Sequence, residues 1–180
     1  MTPTAKTKYD AVAMGLHWVM AAMMIFMLFF GGDLIKQKGG GGTLLPSIHV
    51  SLGSAVLILS VLRLAWRLAN PPPALPATMP DWEQSASKAG HALFYVLMIG
   101  LPLTGWLAFP AFLGRHAGLA GVQVFGAFPL PGAPSLGLPM GGIHSLLNNI
   151  GIATLILHVL AALKHQFINR DGLLRRMLPL

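Results

Sequence analysis

The sequence predicts an all-α fold, a four-helix bundle integral to a membrane. Three observations predict it: four long apolar stretches, a scarcity of charge, and Gly- or Pro-rich connectors between the stretches. Of the 180 residues, 54% are hydrophobic and 9% are charged, where a soluble domain carries about 25% charge. Mean hydropathy is +0.68. Lipid offers no partner to an unpaired backbone group, so a spanning stretch is expected to be helical. Four spans of roughly 20 residues take up about half the chain, which is read as a single domain over residues 1–180.

The first helix is expected at about 11–32. It is long enough to span and lacks the small-residue cleavage site of a secretory leader, so no cleavable signal peptide is expected. Gly31 and Gly32 are expected to end it, and Gly39–Gly42 to form a flexible connector. Pro46 is expected to precede the second helix, at about 47–68. Pro71, Pro72, Pro73, Pro76 and Pro80 make a stiff, extended linker to the third helix. That helix is expected at about 87–109, with Pro102 inside it to kink it. Residues 111–141 are rich in Gly and Pro and are expected to be irregular, with room for a short interfacial helix. The fourth helix is expected at about 142–167.

Charge orients the bundle. Lys6, Lys8, Arg63, Arg67, Lys88, Lys164, Arg170, Arg175 and Arg176 fall on one side, and Lys36, Lys38 and Arg115 on the other, nine against three of the 12 basic residues. Cytoplasmic loops carry the excess of Lys and Arg, so both termini are expected in the cytoplasm of a multi-pass inner-membrane protein. The formal net charge of +7 is thereby assigned to membrane ends, and no nucleic-acid partner is expected. The chain has no cysteine, which excludes cysteine-held iron–sulfur clusters, thiolate-ligated haem and thioether-linked haem.

Seven histidines are the candidate chemistry: His17, His49, His91, His116, His144, His158 and His165. Only His116 lies clearly in a loop. Ionisable side chains within a span are costly and usually functional. One such histidine is readily explained as a helix–helix hydrogen bond, but five or six are not. His144 and His158 are fourteen residues apart, about 21 Å and nearly four turns along one helix, so they share a face at two depths. By depth His49 can face His144, on the periplasmic side, and His17 can face His158, on the cytoplasmic side. Paired neutral imidazoles on facing helices suit low-spin haem iron. Gly53, one turn from His49, and Gly15, close to His17, offer clearance for a flat macrocycle, although small residues also serve ordinary helix packing. No acid lies within a span, which disfavours zinc, di-iron and proton-relay sites.

Other polar residues admit two readings. His91 can replace His17 or His158 as a ligand, or else hydrogen-bond haem or quinone or simply sit at the membrane interface. His165 and Lys164 either face a quinone beside the cytoplasmic centre or form a solvated helix end. Arg63, Arg67, Arg175 and Arg176 can pair with haem propionates or snorkel to the interface. Asn148 and Asn149 can serve a propionate or a neighbouring helix. Met20, Met23, Met24 and Met27 stripe the first helix and read as packing or lipid-facing. Basic residues on the periplasmic side are suited to steer a small anion.

The segments GLHWVM at His17, SIHVSLG followed by VLRLAWRL, KAGHALFYVLMIGLPLTGW at His91, and HSLLNNIGIATLILHVLAALKHQFINRDGLLRRMLP resemble, in order and over nearly the whole chain, the bacterial cytochrome b561 family. Its wider clan includes the cytochrome b subunits of nickel–iron hydrogenases and formate dehydrogenases. The resemblance implies two non-covalent haems b, held by His17, His49, His144 and His158. It also implies electron transfer between a periplasmic partner and the quinone pool. Some family members oxidise superoxide and reduce ubiquinone, which is the leading expectation here. A membrane subunit serving a hydrogenase or dehydrogenase partner is the alternative, which the short tails disfavour.

Overall fold

The computed structural model describes residues 7–35, 42–115, 119 and 121–178. Lys6, Lys36, Lys38, His116 and most of the glycine run fall outside them. The four helices are α1 (Ala11–Ile35), α2 (Leu44–Ala69), α3 (Asp81–Leu113) and α4 (Met140–Lys164). All four are long and apolar enough to cross a membrane. Each packs on the next in sequence, and α4 closes back onto α1 through a slimmer contact.

Three helix boundaries differ from expectation for physical reasons. α1 runs through Gly31 and Gly32 to Ile35. Gly is tolerated within membrane helices, and Gly31 is buried where α2 comes close. Pro46 lies inside the first turn of α2, where the amide hydrogen that proline lacks would have no intrahelical partner anyway. α3 also starts a turn and a half before the expected residue 87. Asp81 and Glu83 occupy its first turn, where acids suit the positive end of the helix dipole.

The core lies mid-bundle, where Met20, Met24 and Leu28 of α1 meet Val56 of α2 and Leu97, Met98 and Leu101 of α3. Half of the methionine stripe is therefore core packing. Gly151 of α4 admits α1, since a Cβ there would come within 2.8 Å of Leu28 Cδ2. The buried hydroxyls of Ser60 and Thr154 donate to the carbonyls of Val56 and Ile150, one turn back in their own helices.

At the amino end of α1, Asp10 Oδ1 accepts from the Ala13 amide at 2.9 Å and from Trp66 Nε1 at 3.0 Å. The Ala13 bond is the main cause of an Asp10 carboxyl held below its ordinary value; burial opposes it, and the bond from Trp66 adds to the lowering. The carboxyl end of the chain folds back over the same end of the bundle. Trp18 Nε1 donates to the Met177 carbonyl, and Arg176 Nη1 to the Ala74 carbonyl. Beyond Lys164 the chain makes a π-helical turn, His165–Asn169, that ends at a left-handed Arg170.

Between α3 and α4 stands a two-stranded antiparallel hairpin, β1 (Gln123–Val124) and β2 (Phe128–Pro129). From the sequence an irregular segment is expected there, with room for a short interfacial helix but no strand pairing. β1 lies against α2.

Candidate functional site

The bundle brings the span histidines together in two groups, one toward each end. At one end, His49 of α2 and His144 of α4 have ring centres 6.3 Å apart, with planes inclined at 63°. At the other, His17 of α1 and His158 of α4 are 6.4 Å apart and inclined at 61°. A metal–imidazole nitrogen bond is about 2.0 Å long and the nitrogen sits about 1.1 Å from its ring centre, so two rings sharing one iron have centres about 6 Å apart. Both pairs meet that spacing.

Local structure leaves each ring of the first pair with one nitrogen free to bind a metal. His49 Nδ1 donates to the Gly31 carbonyl of α1 at 2.9 Å. His144 Nδ1 donates to the Leu101 carbonyl of α3 at 2.9 Å and lies 3.3 Å from Thr104 Oγ1. A carbonyl can only accept, so each ring carries its proton on Nδ1 and leaves the Nε2 lone pair available. Each ring also rests on a glycine. A Cβ at Gly31 would sit 3.4 Å from His49 Cε1, and one at Gly105 would sit 3.2 Å from His144 Cε1. Sequence reasoning missed Gly31, Gly105, Leu101 and Thr104. Gly105 follows Thr104 within the apolar run of α3, but its role depends on a ring from another helix.

The second group holds three imidazoles. His91 of α3 lies 6.0 Å from His158, and Phe94 packs edge-on against His158 at 5.2 Å. His91 Nδ1 donates to the Ser87 carbonyl of its own helix at 2.8 Å. His17 differs: Arg63 Nη2 approaches its Nδ1 at 3.1 Å. A guanidinium only donates, so this Nδ1 accepts. Arg63 also lies over the Tyr95 ring, 6.0 Å from its centre. Among the described residues, nothing beyond the glycine's own stretch of helix comes within 4 Å of the Cβ position at Gly53 or at Gly15. Neighbouring side chains therefore do not close off the helix backbone at either level.

His165 and Lys164 stand apart from these pairs, in an ionic cluster where α4 ends beside the start of α3. Lys164 Nζ meets Glu83 Oε1 at 2.5 Å and lies near the Trp82 ring. His165 Nδ1 meets Asp171 Oδ2 at 2.6 Å, and its Nε2 is 3.6 Å from Glu83 Oε2. Glu83 and Asp171 carry the acids that sequence reasoning did not connect to this end. Asn148 Nδ2 donates to the Leu28 carbonyl of α1, so of its two expected roles it serves the neighbouring helix. Arg176 is engaged with the Ala74 carbonyl.

A family model described as prokaryotic cytochrome b561 matches residues 8–180. Among curated proteins, the chain is 29% identical over 178 residues to cytochrome b561 homolog 2 of Escherichia coli (strain K12), covering 95% of this chain and 91% of that one. It is 30% identical over 175 residues to cytochrome b561 homolog 1 of the same strain, covering 96% and 97%. It is 28% identical over 187 residues to a protein of Yersinia pestis named probable superoxide oxidase CybB, covering 96% of each.

Proposed function

We propose that this chain, which belongs to the prokaryotic cytochrome b561 family, holds two non-covalent haems b in one bundle and passes electrons through them to quinone. Membership makes it a haem-b protein of membrane electron transfer, multi-pass in the bacterial inner membrane. The number of haems, the ligands and the substrates are the proposal. The observation that carries it is the pair of imidazole couples, 6.3 and 6.4 Å between centres, at two levels of one bundle.

His49 and His144 are assigned as axial ligands of one haem, and His17 and His158 of the other. Haem iron supplies a one-electron couple when bound. The chain's own groups do the rest. The Gly31 and Leu101 carbonyls fix the tautomer and raise the basicity of His49 and His144. At the other end, ligation by His17 through Nε2 requires its Nδ1 to carry the proton, so its contact with Arg63 must open. The guanidinium then becomes available for a propionate.

His91 supports a second reading of that level. It is as close to His158 as His17 is, and its Nδ1 is already tied to the backbone. Under that reading His91 and His158 hold the haem, and His17 stays with Arg63.

The nine-to-three distribution of basic residues supports a cytoplasmic location for both termini and for the His17 end. The name of the Yersinia pestis relative favours superoxide as the periplasmic donor. Two superoxide anions each give up one electron and leave as oxygen. The two electrons, with two protons, convert one ubiquinone to ubiquinol. His165 and Lys164 are assigned to the quinone side, where the cluster with Glu83 and Asp171 can supply protons. The test is haem stoichiometry by acid-acetone extraction, followed by stopped-flow mixing of the purified protein with superoxide and ubiquinone. Two haems per chain, reduced by superoxide and reoxidised by ubiquinone, are expected. One haem, or no reduction by superoxide, would reject the corresponding part.

A further inference from the structure

The segment joining α3 to α4 is a loop of unusual chemistry. Past Arg115 and His116 at its start, from Ala117 to Pro139, it contains no Asp, Glu, Lys, Arg or His, and its only polar side chains are Gln123 and Ser135. An aqueous loop of that length normally carries charge. The geometry points to a different location: this hairpin is inserted into the lipid leaflet at the His49 end of the bundle, alongside α2.

The descent can be followed residue by residue. A Cβ at Gly121 would sit 3.5 Å from Thr43 Cγ2, just before α2 begins. The Gln123 amide donates to Ser47 Oγ at 3.0 Å, and the Phe125 amide to Ser51 Oγ at 2.7 Å. Eight residues from Thr43 to Ser51 at helical rise cover about 12 Å, and four residues from Gly121 to Phe125, two of them in β1, span at most about 13 Å of extended chain. β1 therefore runs down α2 in step with it, and the hairpin tip is its deepest point. α2, from Leu44 to Ala69, has 26 residues and is about 39 Å long, against a hydrocarbon core of about 30 Å. If the excess is shared between its ends, Ser51 lies below the hydrocarbon boundary.

Three further features fit that depth. In lipid, backbone groups at a sheet edge must find partners within the protein. Here the outward amides of Gln123 in β1 and of Phe125 just past it are taken by the serine hydroxyls of α2, while Ser51 Oγ itself donates to the Ser47 carbonyl. The side chains alternate as a half-buried strand should. Val122 and Val124 are buried, whereas Phe125 at the tip is 53% exposed and Phe128 is 65% exposed. Phe125 also holds a left-handed backbone, φ 54°, ahead of Gly126 at 66°, in a turn closed by the Ala127 amide on the Val124 carbonyl. A bulky residue seldom occupies that region, and this one gains no compensating burial in the protein. An acyl-chain environment gives the ring a reason to be there. Finally, Trp106 Nε1 of α3 donates to the Pro131 carbonyl at 2.8 Å, tying the outgoing arm to an aromatic of the kind found in membrane interfaces.

Because the chain has no cysteine, single-site labelling tests this directly. Phe125→Cys and, independently, Phe128→Cys carry a nitroxide in the haem-loaded protein, in phospholipid nanodiscs. Ile58→Cys, on the outer face of α2, serves as the lipid reference, and Asp81→Cys as the water reference. Collision with oxygen is compared with collision with a water-soluble nickel chelate, and the haem spectrum of each variant reports that the bundle is intact. Oxygen access several-fold above nickel access at 125 and 128, close to Ile58, is expected. Nickel access like that of Asp81 would overturn the inference, because the tip would be in water. Low access to both reagents would also overturn it, because the tip would be covered by protein such as a second copy of the chain.

Discussion

His49 donates its Nδ1 hydrogen to the carbonyl oxygen of Gly31, 2.9 Å away on the neighbouring helix. The same glycine leaves room for the ring, since a Cβ there would be 3.4 Å from His49 Cε1. His144 repeats the arrangement on α3 with the Leu101 carbonyl and Gly105. The two rings are thus held from opposite sides of the bundle, each in the tautomer that frees Nε2.

Under the proposed ligation, glycine volume at these two positions should decide haem binding. Gly105→Val should push His144 aside and remove the haem at that end, lowering the content from two haems to one. Gly31→Val should do the same through His49. Extraction and a reduced-minus-oxidised spectrum measure it. Full haem content in both variants would show that the rings have slack that the structure does not suggest.

Thr104 supplies a finer adjustment. Its Oγ1 is 3.3 Å from His144 Nδ1, and an acceptor at that nitrogen raises ligand basicity. Thr104→Val should keep both haems and raise the potential of the one that His144 ligates, because a less basic imidazole stabilises the ferric state less. A redox titration following both components should show one moved and the other in place.

Much of this was legible in the sequence. Hydropathy located the four spans, and the rise of a helix put His49 level with His144 and His17 level with His158, which the 6.3 and 6.4 Å separations reproduce. Three things were not legible. Gly31 reads locally as a helix terminator, because its purpose is a ring arriving from α2. His91 reads only as an alternative ligand or a cofactor or interfacial contact, because its closeness to His158, 6.0 Å, depends on how α3 packs on α4. The hairpin after α3 is hidden because Gly and Pro signal turns but not the strand pairing that the serines of α2 support.

The ionic cluster at the end of α4 separates a quinone role from a structural one. Glu83→Gln removes the charge facing both Lys164 and His165. Lys164 is partly exposed, so the lost ion pair should cost only about 1 kcal/mol of stability. If the cluster serves quinone, reoxidation of the reduced haems by ubiquinone should slow several-fold while the haem spectrum stays unchanged. An unaltered rate would leave the cluster a helix–helix clamp.

Asp10 should contribute stability in a pH-dependent way. Its carboxyl titrates below the ordinary 3.8, chiefly because the Ala13 amide donates to it. The contribution is fully present above the unfolded value and is lost as pH falls through the lower folded one. Asp10→Ala should cost about 1 kcal/mol at neutral pH, as loss of a helix cap does, and Asp10→Asn much less. Thermal unfolding in detergent at neutral and acidic pH distinguishes the three proteins, and the gap between wild type and Asp10→Ala should narrow in acid.

Orientation is open to a simple reporter experiment. Both termini should be cytoplasmic, so a carboxyl-terminal fusion should be active with a cytoplasmic reporter and silent with a periplasmic one. The reverse pattern would invert the assignment of the His49 end to the periplasm.

The central claim is that one bundle holds two haems on two particular histidine pairs. Its most direct test is a redox titration with reduced-minus-oxidised spectra on His17→Ala, His49→Ala, His144→Ala, His158→Ala and His91→Ala. The account predicts that His49→Ala and His144→Ala lose the same spectral component, that His17→Ala and His158→Ala lose the other, and that His91→Ala retains both. Loss of different components in His49→Ala and His144→Ala would contradict it. Retention of both components in His17→Ala, with one lost in His91→Ala, would transfer the second ligand position to His91.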